Sequence, residues 1–175
     1  MSKTGPSDQT RILIVMGSDS DFDVMKSALQ ILREFDVPCE VRVCSAHRTP
    51  DAAHRMAKEA RANGFGVIIA GAGAAAHLAG VMAACATVPV IGVPIDASPL
   101  HGVDALYSTA QMPGGVPVAS MGIGKSGAKN AGLFAIQILA VSNPDLASAY
   151  VEYKAEMARE VERKDAKLQA EVERM

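Results

Sequence analysis

Short apolar runs recur along the chain, and each is followed by a stretch with helical periodicity. Arg11-Ile12-Leu13-Ile14-Val15-Met16 is continuously apolar after its first residue, the mark of a strand covered on both faces in a parallel sheet. Pro38 to Cys44, Val67 to Ala70, Pro89 to Pro94 and Val116 to Ser120 predict four further strands. Phe22, Met25, Ala28, Leu29 and Leu32 fall at helical spacing after the first of them. Asp51 to Ala62 predicts a second helix, closed by Asn63-Gly64 as a left-handed stop. Gly71 to His77 opens a helix of small residues running to Ala86, Leu100 to Gln111 is a fourth and Ala128 to Val141 a fifth. Strict alternation of strand and helix implies parallel strands with right-handed crossovers. The predicted fold class is α/β: a flavodoxin-like three-layer α/β/α sandwich over residues 11 to 142, with a five-stranded parallel sheet plus an extra C-terminal helix.

That last helix begins at Asn143-Pro144-Asp145, where Pro144 suits a first helical position. Leu146, Tyr150, Tyr153, Met157, Val161, Leu168 and Val172 then follow at three-, four- or seven-residue steps among Glu, Lys and Arg. With five helices already covering the sheet, residues 143 to 175 are left to pack on a neighbouring subunit or on their own domain. At the other end, Met1 to Thr10 are polar and lack the apolar core of a signal peptide, so they are expected to form a disordered lead-in.

Composition narrows the function classes. The chain has 175 residues, enough for one domain that buries roughly 70% of its unfolded surface. Aromatic residues make up 4% with no Trp, while Gly and Ala abound, which favours close approach to a small ligand over stacking on bases. A net charge of −2 argues against nucleic acid as a partner. No segment reaches the ~18 uninterrupted apolar residues of a membrane span. Cys39, Cys44 and Cys85 are odd in number and match no zinc spacing, which suits structural thiols in a reducing, cytoplasmic setting.

The chemistry-bearing residues gather in the loops beyond the strand ends, where an open α/β sheet places its ligand. Gly17-Ser18-Asp19-Ser20-Asp21 offers hydroxyls and free amides at a helix start, an anion site, but its three aspartates would repel a phosphate unless they cap the helix or face sugar hydroxyls. Ser18 is the phosphate-side candidate and Asp21 the candidate for ribose; plain capping by Asp19 or Ser20 is the alternative. A receiver-type acidic cluster would want an Asp closing the third strand, where Ala70-Gly71 stands instead.

Cys44-Ser45-Ala46-His47-Arg48-Thr49-Pro50 follows the second strand. Arg48 can grip phosphate or carboxylate with two parallel bonds, and His47 is the well-placed group of a type that trades protons near neutral pH. As an ordinary βα loop it would have Thr49 capping a helix and Pro50 at its first position. Gly71-Ala72-Gly73-Ala74-Ala75-Ala76 reads as G-x-G-x-x-A with Asp96 about 20 residues on, a literal dinucleotide fingerprint, although it follows the third strand rather than opening a two-half nucleotide domain. Physically that loop offers bare backbone, with His77 completing it in the first turns of a helix. His77 could equally be bonded to a neighbouring carbonyl, and His54 and His101 read as surface or loop histidines. Four scattered histidines do not suggest a metal. Together the loops predict proton-transfer chemistry on a small phosphorylated anion, with no cofactor.

Met16-Gly17-Ser18-Asp19-Ser20-Asp21, Ser45-Ala46-His47-Arg48-Thr49-Pro50, Ala70-Gly71-Ala72-Gly73-Ala74-Ala75-Ala76-His77-Leu78 and Pro89-Val90-Ile91-Gly92-Val93-Pro94 resemble the class I N5-carboxyaminoimidazole ribonucleotide (N5-CAIR) mutase family of de novo purine synthesis. The resemblance extends through Gly102-Val103-Asp104, Gln111-Met112-Pro113 and Asn130-Ala131-Gly132, and so covers about residues 11 to 141. It implies an isomerase that moves a carboxyl group from the exocyclic nitrogen to ring carbon C4 by decarboxylation and recarboxylation. His47 would be the general acid/base. Ser18, Asp21 and Arg48 would bind the nucleotide with Ser45 alongside, and Ala72, Gly73 and Leu78 would line the CO2 pocket. The resemblance further implies a homo-octamer, which would give the C-terminal helix its partner, and an ATP-dependent N5-CAIR synthetase acting upstream.

The related class II enzyme carboxylates aminoimidazole ribonucleotide directly. It shows Lys where Arg48 stands and an Ala-Gly-Arg-Ser-Asn-like loop where Ala70 to Ala74 stand, so the class I version is present at both places. Two positions depart from the family pattern: Ala74 where Gly is usual and Ala79 where Pro is usual. The Ala74 methyl either narrows the pocket or marks a permissive backbone, and Ala79 costs only some rigidity.

Overall fold

The computed structural model describes residues 11–175; the lead-in expected over Met1 to Thr10 lies outside the described residues. The chain divides into two compact units at Leu139/Ala140. In the first unit, β1 (Arg11–Met16), β2 (Cys39–Val43), β3 (Phe65–Gly73), β4 (Val90–Ile95) and β5 (Ala119–Ser120) form one sheet in the order β2-β1-β3-β4-β5. All four pairings are parallel. This is the flavodoxin-like order, and its switch point lies where β1 and β3 part to opposite sides.

The helices are α1 (Phe22–Glu34), α2 (Pro50–Glu59), α3 (Leu78–Cys85), α4 (Val103–Ala110) and α5 (Gly124–Ala140). Strand alternation divides the core. Leu13, Val15, Ile68, Ala70 and Val90 pack with Ala53 and Ala57 of α2 and with Leu78, Ala79 and Met82 of α3 in one apolar cluster. On α1, Met25 reaches the Gly71 backbone, and Ile31 with Ala28 receives α5 at Gly132. A Cβ added to Gly132 would lie 2.2 Å from Ile31 Cγ2, so this helix pair packs at a distance only Gly permits. Lys125 and Asp23 join the starts of the same two helices at 2.8 Å.

Several element boundaries differ from the sequence expectation: α2 ends at Glu59 rather than Ala62, and α4 starts at Val103 rather than Leu100. β3 runs on through Gly71, Ala72 and Gly73, which pair with Val93, Pro94 and Ile95, so α3 starts only at Leu78. Periodicity does not show this, because small residues suit an extended backbone between two neighbours as well as a helix. β5 is only Ala119–Ser120 rather than Val116 to Ser120: Pro117 has no N–H to give the ladder. α5 begins at Gly124, four residues ahead of its apolar stripe. The Asn63-Gly64 stop takes the expected form, with Gly64 at φ 79°.

In the second unit, α6 (Pro144–Val172) is a helix of 29 residues. Asn143 Oδ1 accepts the Leu146 N–H at 3.1 Å as its cap, with Pro144 in the first turn. Arg159 and Arg163 reach Glu156 at 2.7 and 2.6 Å, and Lys164 reaches Glu160 at 2.7 Å. Among the described residues no helix is long and apolar enough to cross a membrane.

Candidate active site at the carboxyl ends of the strands

The loops following β1, β2 and β3 enclose a cavity of about 260 Å³. All nine residues singled out from the sequence line it: Ser18, Asp21, Ser45, His47, Arg48, Ala72, Gly73, His77 and Leu78. Gly17, Ser20, Ala46, Ala74, Ala75 and Ala97 complete the lining. Ala97, just beyond β4, gives no chemical signal in the sequence, because a methyl carries none; its role is spatial. A Cβ on Gly73 would lie 2.4 Å from the Ala97 Cβ and 3.1 Å from the Ile95 carbonyl oxygen, so the β3 and β4 ends touch there through bare backbone. His54 on α2 and His101 after β4 stand outside the lining; His101 Nδ1 lies 3.8 Å from Asp96.

The β1 loop folds as a 3₁₀ turn over Asp19–Asp21 with Ser18 at its N-cap. Ser18 N–H donates to Asp21 Oδ2 at 3.0 Å, and the Ser18 hydroxyl receives the Ser20 N–H at 3.3 Å, a reciprocal capping box. Ser18, not Asp19 or Ser20, is therefore the cap. The Ser18 hydroxyl donates to Asp19 Oδ1 at 3.1 Å and accepts from the Ser20 hydroxyl at 2.9 Å. A phosphate oxygen that uses this hydroxyl must displace Asp19. Burial is the main force pushing the Asp21 carboxyl above its usual range; the Ser18 N–H opposes it, Asp19 adds to it, and Arg48 opposes it. With Oδ2 committed to the cap, Oδ1 is the oxygen left to face a ligand.

The β2 loop is a closed turn. Thr49 N–H donates to the Ser45 carbonyl at 2.9 Å, and the Thr49 hydroxyl takes the Ser45 N–H at 3.0 Å. Arg48 is anchored by the protein itself: Nη2 donates to the Gly17 carbonyl at 2.9 Å, while its backbone N–H and Nε point at Ser45 Oγ at 3.2 and 3.4 Å. One guanidinium thus ties the β1 loop to the β2 loop and keeps Nη1 for an anion. The Ser45 hydroxyl, accepting from Arg48, keeps its hydrogen to donate.

His47 Nε2 and His77 Nδ1 are 2.8 Å apart, with the rings edge to face at a centroid distance of 4.9 Å. One of these nitrogens must carry the hydrogen and the other must lack it. The bond engages one nitrogen of each ring and leaves His47 Nδ1 and His77 Nε2 for exchange with a ligand or solvent. His77 occupies the N-cap position of α3 rather than its first turns, because β3 extends further than its composition suggests. Between β3 and His77, Ala74 adopts φ 50°, the left-handed region. The backbone there is not permissive; it favours Gly, and the methyl is carried at a cost. Among the described residues no three His, Cys, Asp or Glu side chains gather in a metal-holding arrangement.

Fold and cavity together define an α/β domain that holds a hydrogen-bonded imidazole pair and an anchored guanidinium over the carboxyl ends of its parallel strands. The family described as AIR carboxylase matches residues 11–160. A Thermotoga maritima protein named N5-carboxyaminoimidazole ribonucleotide mutase is 52% identical over 159 residues, covering 91% of this chain and 92% of its own. A Bacillus subtilis protein of the same name is 57% identical over 139 residues, covering 79% and 86%. The crystal structure of Treponema denticola PurE superposes with a TM-score of 0.82 at 28% identity, covering 90% of this chain and 98% of its own. The chain belongs to the AIR carboxylase family.

Proposed function

We propose that this chain is an N5-CAIR mutase, an isomerase that moves the carboxyl group from N5 to C4 to give 4-carboxy-5-aminoimidazole ribonucleotide. The observation that carries the reading is the His47–His77 pair sharing one cavity with anchored Arg48 and the bare Ala72-Gly73 backbone. The names of the curated relatives agree with it.

Arg48 and the Ser18–Asp21 turn hold the phosphate and ribose of the nucleotide, with the Ser45 hydroxyl alongside. Ala72, Gly73 and Leu78 offer CO2 a small apolar wall. The reaction begins when the N5–carboxyl bond breaks: CO2 leaves, its bonding electrons stay on N5, and N5 takes a proton. C4 then attacks the trapped CO2. His47 removes the C4 proton and restores the aromatic ring. The net change is one carboxyl group moved to C4 and one proton moved to N5, so no cofactor is required. Exclusion of water by the bound nucleotide would favour loss of CO2 from the carbamate and hinder its escape. His77, by engaging His47 Nε2, directs proton exchange to His47 Nδ1.

The enzyme works in the cytoplasm downstream of an ATP-dependent N5-CAIR synthetase. It assembles as a homo-octamer, in which α6 packs on a neighbouring subunit.

The test is a paired assay at low bicarbonate, following the C4-carboxylated product. One reaction contains N5-CAIR and the other aminoimidazole ribonucleotide with CO2. Turnover of the first alone is expected. Efficient turnover of the second at modest CO2 would instead establish direct carboxylation, the reaction that the family description names.

A further inference from the structure

We propose that Thr49 is a positioning residue for His47, holding by its hydroxyl the turn that presents the imidazole to the cavity. The inference rests on the mutase reading for its kinetic test and on hydrogen bonding for its physical one.

Thr49 occupies the N-cap position of α2, with φ −136° and ψ 55°. A Thr at that position ordinarily turns its hydroxyl forward onto the free N–H groups of the first helical turn. Here it makes no such bond. Oγ1 turns backward instead, accepting the Ser45 N–H at 3.0 Å and donating to the Ser45 carbonyl at 2.9 Å. The Thr49 N–H reaches the same carbonyl at 2.9 Å. With the hydroxyl hydrogen committed to Ser45, the Cys44 thiol 3.7 Å away is left to donate to Oγ1. A single side chain therefore grips both backbone polar groups of Ser45 and closes a five-residue ring with His47 at its centre.

Thr49 is not part of the cavity lining, so it acts through the residues that are. Its two dependants differ. Arg48 has side-chain tethers of its own, to Gly17 and Ser45. The His47 ring is tied to His77 on another loop, so their 2.8 Å contact depends on the turn that carries His47. A displacement of about 1 Å at a reacting group is enough to cost on the order of a hundredfold in rate. Loss of the Thr49 grip should accordingly appear in kcat more than in KM.

The experiment compares Thr49→Val, which keeps the branched shape and removes the hydroxyl, with Thr49→Ser, which keeps the hydroxyl. Rates are taken per folded molecule in the N5-CAIR assay. Thr49→Val is expected to lower kcat by about 10- to 100-fold with KM within about threefold, the range a moderate misplacement implies. Thr49→Ser is expected to stay within about threefold of wild type in both constants, since it retains the grip. A Thr49→Val kcat within threefold of wild type overturns the proposal, as does a Thr49→Ser enzyme as slow as Thr49→Val or a loss confined to KM.

Two measurements separate this proposal from the mutase reading. If wild type fails to turn over N5-CAIR, that reading falls, and the His47 ring resonances decide: they should move in Thr49→Val while those of His54 stay, and unmoved His47 resonances overturn the proposal. If Thr49→Val does not fold, amide exchange at Ser45 in the wild-type protein decides. Exchange slowed at least about tenfold relative to a free peptide supports the grip, because opening must precede exchange, and exchange at the free-peptide rate refutes it.

Discussion

Replacing His47 by Asn separates chemistry from folding at the proposed site. His47 is exposed, and its side chain bonds His77 at 2.8 Å. Asn is too short to keep that bond, and a hydrogen bond contributes about 1 kcal/mol net. In a chain of this size that amounts to a fall of roughly 2–4 °C in the thermal midpoint. The groups proposed to hold the nucleotide are untouched, because Arg48 is fixed by Gly17 and Ser45 and the Ser18–Asp21 turn by its own capping box. KM should therefore stay within a few-fold. A positioned acid–base group contributes about 10²–10⁴ in rate. At 1.36 kcal/mol per factor of ten, this corresponds to a barrier higher by roughly 3–5 kcal/mol, several times the stability change. The assay is steady-state conversion of N5-CAIR, with calorimetric binding of the C4-carboxylated product as the control. A kcat within threefold of wild type would refute acid–base catalysis by His47. A midpoint lowered by much more than 4 °C would show that the imidazole pair holds the loops together rather than moving protons.

Three further outcomes follow from local physics. Ala74→Gly should raise stability by roughly 0.5 kcal/mol, because the left-handed backbone costs Ala about 1–2 kcal/mol while Gly adds about 0.4–1 kcal/mol of unfolded-state entropy; a lower urea midpoint would contradict this. Gly132→Val puts a branched carbon where even a Cβ lies 2.2 Å from Ile31 Cγ2, and overpacking should cost about 1–3 kcal/mol in urea unfolding, whereas an unchanged midpoint would mean that α1 and α5 separate freely. Asp23 is held at about 2, chiefly by its hydrogen bond from Lys125 and next by that from Lys26. Its folded-state value is depressed, so its contribution is present above the ordinary 3.8 and fades as pH falls through about 2. The stability gap between wild type and Asp23→Asn should narrow over that window, and a gap independent of pH would remove the ion pair as its cause.

Periodicity along the chain was enough to determine the class of fold. Five apolar runs alternating with amphipathic stretches admit few arrangements other than a parallel sheet with crossover helices, because each run has two faces to bury. Loop chemistry likewise pointed to the cavity: Ser45, His47 and Arg48 stand together in one short segment, and a strand followed by a helix start leaves that segment at the sheet's carboxyl edge. What the sequence could not carry was any fact that depends on which atoms meet. The pairing of His47 with His77 joins residues 30 apart through two different strands. The reach of β3 through Gly73 likewise depends on a neighbouring strand, β4, whereas the bonds of Ser18 to Asp19 and Asp21 close within a single turn. Thr49 illustrates the division. The sequence predicts a helix cap at this position, and Thr49 stands there, but only the folded loop turns its hydroxyl away from the helix and onto Ser45. Propensity is local and survives in one dimension, whereas a hydrogen bond's partner is selected by distances that only the assembled strands fix.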